Sequence, residues 1–231
     1  MESPKRKKWP KRKTKQKNLL TNKLPMRKNQ TNDELERVLL TSGYKSVIGV
    51  DEVGRGSWAG PVVVAAFIYS VNSQIISQVN DSKALTKKRR ESLSAQLKRN
   101  SYSIGMAEKD EIDELNVLEA TRLAIVRALK DIDTEESIVL LDGYFRDPFE
   151  FEYKCIQHGD AKHYSIAAAS VIAKVYRDNL LAEYGKTYPV YGFESNAGYG
   201  TKKHMEALKI YGICDIHRLS YKPIKKILHG R

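Results

Sequence analysis

Two carboxylates, Asp51 and Glu52, stand side by side after the apolar run Val47–Val50 and just before Gly54-Arg55-Gly56. Two more acids follow apolar segments further along the chain. Asp142 closes Ser137–Leu141, and Asp160 follows Gly159 after Phe151–Ile156. A single aspartate at a strand end usually caps a helix or forms a turn. Four that converge are different, because clustered like charges cannot all ionise without a compensating cation. Hard carboxylate oxygens suit Mg2+ or Mn2+. Two such ions, about 3.5–4 Å apart, activate a water and stabilise the leaving oxygen in phosphodiester hydrolysis. No Ser-His-Asp or Cys-His spacing offers competing chemistry. His163, His204 and His217 are single histidines and read as structural or surface groups.

The residues around the acids suggest what they act on. Glycines at 54 and 56 permit positive φ and let main-chain N–H and C=O groups approach a sugar edge. Arg55 between them can meet a phosphate. A lone Gly-x-Gly usually makes only a turn; directly after two acids it gains weight. Tyr199 sits in the glycine-flanked run Gly198-Tyr199-Gly200-Thr201, a setting in which a ring can stack on a sugar or base. Lys83, Lys162, Lys174 and Lys202 are phosphate-contact candidates, although most lysines are simply solvated.

These residues need elements to hold them. Caps at 31–34 predict a short helix through Leu40 that ends near Gly43. Strands are expected at Ser46–Val50 and Val62–Ser70, joined by the Gly54–Gly60 turn. A charged helix follows from Thr86 to about Leu97, then a strand at Ser101–Ala107. Apolar residues at 117, 118, 123, 124, 126 and 129 predict a helix from Asn116 to about Ile132. Strands at Ser137–Leu141 and Phe151–Ile156 precede a helix at Ser165–Leu181, which opens on the small face Ala167-Ala168-Ala169-Ser170. A loop at 195–201, a helix at 202–211 and a last helix near Ile224–Leu228 complete the chain. Helices alternating with strands after an opening strand pair give an α/β domain with a mixed sheet. In open sheets of this kind, sites lie beyond the carboxyl ends of the strands. On this reading Asp51, Glu52 and Asp142 all sit there.

Charge is unevenly shared. Of 231 residues, 1–28 hold 12 Lys/Arg against one acid, a net of +11; the remainder has 28 against 27, a net of +1. Residues 1–30 therefore read as a basic, disordered tail suited to a polyanion such as nucleic acid, with 31–231 as the catalytic domain. The other reading of the tail is a solubilising extension. No apolar run reaches the ~18–20 residues that cross a bilayer, and no apolar segment follows the basic start. Cys155 and Cys214 show no metal-site spacing and read as reduced thiols. A cytoplasmic protein with no membrane partner is expected.

From about Tyr44 to Lys225 the chain resembles ribonuclease HII, the type 2 RNase H. The resemblance rests on Gly49-Val50-Asp51-Glu52-Val53-Gly54-Arg55-Gly56, Ala59–Val63, Asp81-Ser82-Lys83, Ile112–Asn116, Leu141-Asp142-Gly143, Gly159-Asp160, Ala167–Asp178 and Gly198–Thr201. It implies an RNase H-like mixed sheet flanked by helices, with a helical C-terminal part. It places the family's metal carboxylates at Asp51, Glu52, Asp142 and Asp160, its 2′-OH-sensing turn at Gly54, Arg55 and Gly56, and its stacking tyrosine at Tyr199. The implied reaction is cleavage 5′ to a ribonucleotide in RNA–DNA hybrids and in duplex DNA with embedded ribonucleotides, leaving 3′-hydroxyl and 5′-phosphate ends. A monomer with two divalent ions is expected. His217–Tyr221 matches the family loosely, as a DNA-backbone contact. The sister type HIII usually has a separate N-terminal β-rich domain, for which residues 1–43 are too short and too basic. The competing readings are a non-catalytic nucleic-acid-binding protein on this scaffold and a nuclease with another substrate, such as a Holliday-junction resolvase.

Overall fold

The computed structural model describes residues 31–229 apart from 78, 80, 81, 83 and 84. The basic tail and Lys83 lie outside the described residues. Five strands, β1 (Ser46–Val53), β2 (Val62–Tyr69), β3 (Tyr102–Ala107), β4 (Ser137–Asp142) and β5 (Tyr153–Ile156), form one mixed sheet in the order β3-β2-β1-β4-β5. β1 runs antiparallel to β2, and β2 to β3; β4 and β5 join in parallel on the other side of β1. Eight helices complete the described fold: α1 (Glu34–Thr41), α2 (Lys87–Leu97), α3 (Lys109–Leu115), α4 (Val117–Leu129), α5 (Tyr164–Thr187), α6 (Phe193–Asn196), α7 (Lys202–Tyr211) and α8 (Lys222–His229).

The sheet is covered on both faces, so its central strands are apolar throughout rather than alternating with polar residues. Val47, Ala65, Phe67 and Leu140 point toward α5, with Ile166 and Ile172 in the same buried cluster. Their neighbours Ile48, Val64 and Val139 point the other way, toward Ala124 and Ala128 of α4. Glycine allows the close approach on each face. A Cβ at Gly49 of β1 would lie 2.1 Å from the Ser165 carbonyl carbon, and one at Gly105 of β3 would lie 2.1 Å from the Ala124 oxygen. A third cluster, including Ala59, Leu181, Phe193, Leu208 and Ile224, packs the C-terminal helices around the far half of α5.

Several elements differ from the sequence expectation. β1 does not stop at Val50 but continues to Val53, with Asp51 opposite Ala65 and Glu52 opposite Val64. The acids therefore belong to the strand itself. α3 was not foreseen; its signature is a reciprocal capping box between Glu108 and Glu111. The buried stripe of α4 is Ala120, Thr121, Ala124, Ile125, Ala128 and Leu129, while Leu118 and Val126 are exposed. α5 runs six residues past its expected end at Leu181, to Thr187.

Candidate active site

Parallel pairing of β1 and β4, in register from Ser46↔Ser137 to Val50↔Leu141, carries Asp51 and Asp142 to the same end of the sheet. β5, parallel to β4, leads into the short 3-10 turn Gly159–Ala161, which delivers Asp160. One ligand oxygen from each of Asp51, Asp142 and Asp160 can be chosen so that all lie within 4.8 Å of one another. Asp51 and Asp160 are buried, and Asp142 is half-buried. The main chain orients Asp142: its Oδ1 accepts from the N–H groups of Gly143 at 3.0 Å and Gly159 at 2.8 Å.

Electrostatics at this cluster are strained. Burial pushes the Asp51 carboxyl well above the usual carboxylate range, and the charges of Glu52 and Asp142 push it further; a hydrogen bond with Ser170 of α5 acts in the opposite direction. Ser170 in turn lies 2.8 Å from the Ser82 hydroxyl, so α5 supports the acid from beneath. Glu52 points differently from the other three. Its Oε1 accepts from Arg55 Nη1 at 3.0 Å, and burial raises its pKa against the pull of that arginine. Three of the four expected carboxylates are thus gathered, and the fourth is adjacent but paired with Arg55. A dense set of hard oxygens, one of them held above its ordinary pKa, fits a divalent cation.

The glycine turn begins three residues after Asp51. Gly54 has φ +96°, and a Cβ there would lie 2.2 Å from Arg177 Nε, so only glycine fits. Gly56 is exposed and faces Tyr199: a Cβ on it would meet only the tyrosine Cε1, at 3.8 Å. The turn is stitched to the Tyr199 loop. Ser57 Oγ donates to the Ala197 carbonyl at 2.9 Å, and Trp58 N–H donates to the Gly198 carbonyl at 2.8 Å. Gly200 rests against the Trp58 indole so closely that a Cβ would lie 2.0 Å from it. The Tyr199 ring stays 37 % exposed, with the Arg177 guanidinium 5.9 Å and the Lys174 ammonium 6.0 Å from its centre. Arg55, Gly56 and Tyr199 therefore lie on one exposed surface, with Gly54 buried beneath it against Arg177.

The remaining lysines are less specific. Lys174 is paired with Asp178 at 2.7 Å, Lys162 donates to the Gln157 carbonyl, and Lys202 is a solvated helix residue.

A model of the ribonuclease HII family matches residues 48–224. The chain belongs to the ribonuclease HII family. It is 46 % identical over 197 residues to the ribonuclease HII of Caldicellulosiruptor bescii, covering 84 % of this chain and 94 % of that one. It is also 46 % identical over 195 residues to the Listeria monocytogenes ribonuclease HII, covering 84 % of this chain and 74 % of the relative. Among solved structures, ribonuclease H2 from Pyrococcus horikoshii superposes with a TM-score of 0.64 at 29 % identity, covering 79 % of this chain and 96 % of that one. Bst-RNase HIII in complex with Mn2+ shares the fold, with a TM-score of 0.59 at 18 % identity over 87 % of this chain and 75 % of that one. The protein is an endonuclease of the RNase H type, a phosphodiester hydrolase. No helix among the described residues is long and apolar enough to cross a membrane.

Other residues of the chain have roles that its sequence does not signal. The expected backbone contact at His217–Tyr221 is not available to His217 and Arg218, which are fully buried. His217 Nε2 lies 3.0 Å from His204 Nε2, and His204 Nδ1 lies 2.9 Å from the Tyr199 carbonyl oxygen, so this pair supports the tyrosine loop from inside. Burial drives the His217 pKa down to about 4, with His204 adding to the shift. Arg218 and Arg177 both turn inward to main-chain carbonyls. A sequence carries no signal that separates an inward-facing arginine from a solvated one.

Proposed function

We propose that this member of the ribonuclease HII family hydrolyses the phosphodiester on the 5′ side of a ribonucleotide, in RNA–DNA hybrids and in duplex DNA with embedded ribonucleotides, leaving 3′-hydroxyl and 5′-phosphate ends. The observation that carries the reading is the convergence of Asp51, Asp142 and Asp160 at metal-ligand spacing, with Asp51 three residues before the Gly54-Arg55-Gly56 turn. These three, with Glu52 once it leaves Arg55, would hold two Mg2+ or Mn2+ ions. Bound there, such ions would supply water activation and stabilisation of the leaving oxygen.

The chain's own groups do the rest. Gly143 and Gly159 N–H groups fix the Asp142 carboxylate, and Ser170 steadies Asp51. The open backbone at Gly56 lets main-chain groups reach the ribose 2′-OH, the group that separates RNA from DNA. Arg55 exchanges Glu52 for a phosphate, and Tyr199 packs under the sugar on the deoxyribonucleotide side. Lys83 and the basic tail add phosphate contacts, whose strength falls with salt. The protein acts as a monomer in the cytoplasm.

Replacing the lone ribonucleotide of a duplex by its deoxy counterpart should stop cleavage. Continued cutting would favour a resolvase-like nuclease. Tyr199→Ala should lower kcat/KM on the single-ribonucleotide duplex more than on a continuous hybrid; equal losses would remove the stacking role.

A further inference from the structure

Arg177 of α5 and Arg218 near the C-terminus are both 0 % exposed. Each uses its guanidinium on the main chain. Arg177 donates through Nε to the Pro61 carbonyl at 2.9 Å, through Nη1 to Ala197 at 2.8 Å and through Nη2 to Ala59 at 3.0 Å. Arg218 donates through Nε to the Gly60 carbonyl at 2.8 Å, and through Nη1 to Arg55 at 3.1 Å and to the Tyr221 hydroxyl at 2.8 Å. That hydroxyl donates in turn to the Arg55 carbonyl. The two side chains thus grip carbonyls at 55, 59, 60 and 61 on the glycine turn and at 197 in the tyrosine loop.

Burying cations in this way is unfavourable. Burial, joined by the neighbouring Arg218 charge, lowers the Arg177 pKa to about 10. Arg218 Nη2 is buried without a hydrogen-bond partner. Apolar residues of similar volume often stabilise a core as well or better than buried ions. What an apolar residue cannot do is hold several carbonyls at fixed angles, which the planar guanidinium fork does. Arg177 also bridges the two halves of the surface: it bonds carbonyls on both, fills the space under Gly54 and lies beneath the Tyr199 ring.

We infer that Arg177 and Arg218, with Tyr221, are positioning residues that set the Gly54-Arg55-Gly56 turn at a fixed offset from Tyr199, and that this offset fixes how strongly the enzyme prefers a lone ribonucleotide in DNA over a continuous hybrid. The inference rests on the assignment of the turn to the 2′-OH and of Tyr199 to the adjoining deoxyribose. A displaced turn still meets a 2′-OH in a hybrid, where every sugar of one strand carries one. At a lone ribonucleotide the turn and the ring must engage neighbouring sugars together, so an altered offset is felt most there.

The test compares the full-length wild type with Arg177→Lys, Arg218→Lys and Tyr221→Phe. The readout is the ratio of kcat/KM on duplexes with one ribonucleotide to that on a continuous RNA–DNA hybrid, in Mg2+. Lysine keeps the charge but loses the fork; phenylalanine removes a single hydroxyl from a half-buried ring, so it reports even if the arginine variants fail to fold. The ratio should fall about tenfold in Arg218→Lys and Tyr221→Phe, equivalent to about 1.4 kcal/mol of lost preference, and at least as much in Arg177→Lys if it folds. Mn2+ binding should be unchanged. If Arg218→Lys and Tyr221→Phe lower both substrates by one common factor in step with their melting temperatures, the residues are merely structural and the inference falls. Tyr199→Ala separates the layers. If it leaves the ratio unchanged, the underlying assignment fails; if it lowers the ratio while Arg218→Lys and Tyr221→Phe do not, only the positioning role fails.

Discussion

Asp142→Asn should make the metal-free protein more stable and the enzyme inactive, a pairing that follows from the carboxylate cluster alone. Asparagine retains a carbonyl oxygen that can accept from Gly143 and Gly159 N–H, so the local fold survives. It removes one of three charges whose ligand atoms lie within 4.8 Å of one another. Two full charges at that separation repel by about 3.5 kcal/mol in an effective dielectric of ~20. The realised relief is smaller, because Asp51 already escapes part of the repulsion through its raised pKa. About 1–2 kcal/mol corresponds to a melting temperature higher by roughly 2–8 °C for a chain of this size. With the cation the order reverses. A ligand at a hundred times its Kd stabilises the wild type by about 2.7 kcal/mol, and the variant should lose most of that gain. The assay is thermal unfolding of both proteins in EDTA and in excess Mn2+, with cleavage of a single-ribonucleotide duplex in Mg2+ alongside. Activity should drop by at least ~100-fold, the upper range for losing a group that only supports a metal ligand. An equal Mn2+ shift in both proteins, or full cleavage by the variant, would refute the reasoning.

Gly54→Ala and Gly56→Ala should separate fold from recognition. Gly54→Ala must move the buried Arg177 and strain a positive φ, so circular dichroism should show a lower melting temperature; Gly56→Ala meets ordinary contact only and should keep its stability. Glu36, buried in α1, accepts the N–H and hydroxyl of Ser165 through Oε1 while its Oε2 has no partner. Glu36→Gln keeps the acceptor and removes the buried charge, so denaturant unfolding at pH 7 should find it as stable as the wild type or more so. Glu36→Ala should lose about 1–3 kcal/mol by leaving the Ser165 N–H unsatisfied. For His217, a folded pKa of about 4 against an unfolded ~6.5 means that the unfolded chain binds the extra proton between those values. Stability from this group is whole above pH ~6.5 and lost as pH falls toward 4, by on the order of 3 kcal/mol. His217→Gln should therefore show a shallower loss over that range, and parallel curves for both proteins would count against the buried neutral pair.

The convergence of the acids was more legible than its support. Asp51, Asp142 and Asp160 announce themselves because a charged residue after an apolar run is conspicuous, and parallel strands bring such ends together. The end of β1 was misplaced for the same reason. Asp51 and Glu52 look like a strand terminus, yet the facing residues Ala65 and Val64 extend the ladder through them. α3 is short and mostly charged, so periodicity cannot reveal it and only its capping box marks it. Glu52 is close enough to add its charge to that on Asp51, yet adjacent residues on a strand face opposite ways, and the pull of Arg55 decides where its carboxylate points here. Arg177 and Arg218 were the least visible. Their role depends on which carbonyls the C-terminal segment brings within reach, and that is a property of tertiary structure.

The most direct test of the central claim maps the cut. The full-length protein is incubated with end-labelled duplexes carrying one, four or no ribonucleotides, with Mg2+ and with EDTA, and the products are sized and their ends identified. The account predicts a single incision on the 5′ side of the lone ribonucleotide, leaving a 3′-hydroxyl and a 5′-phosphate, with none in the all-DNA duplex and none in EDTA. Cleavage that persists without divalent cations, or that ignores the 2′-OH, would contradict it.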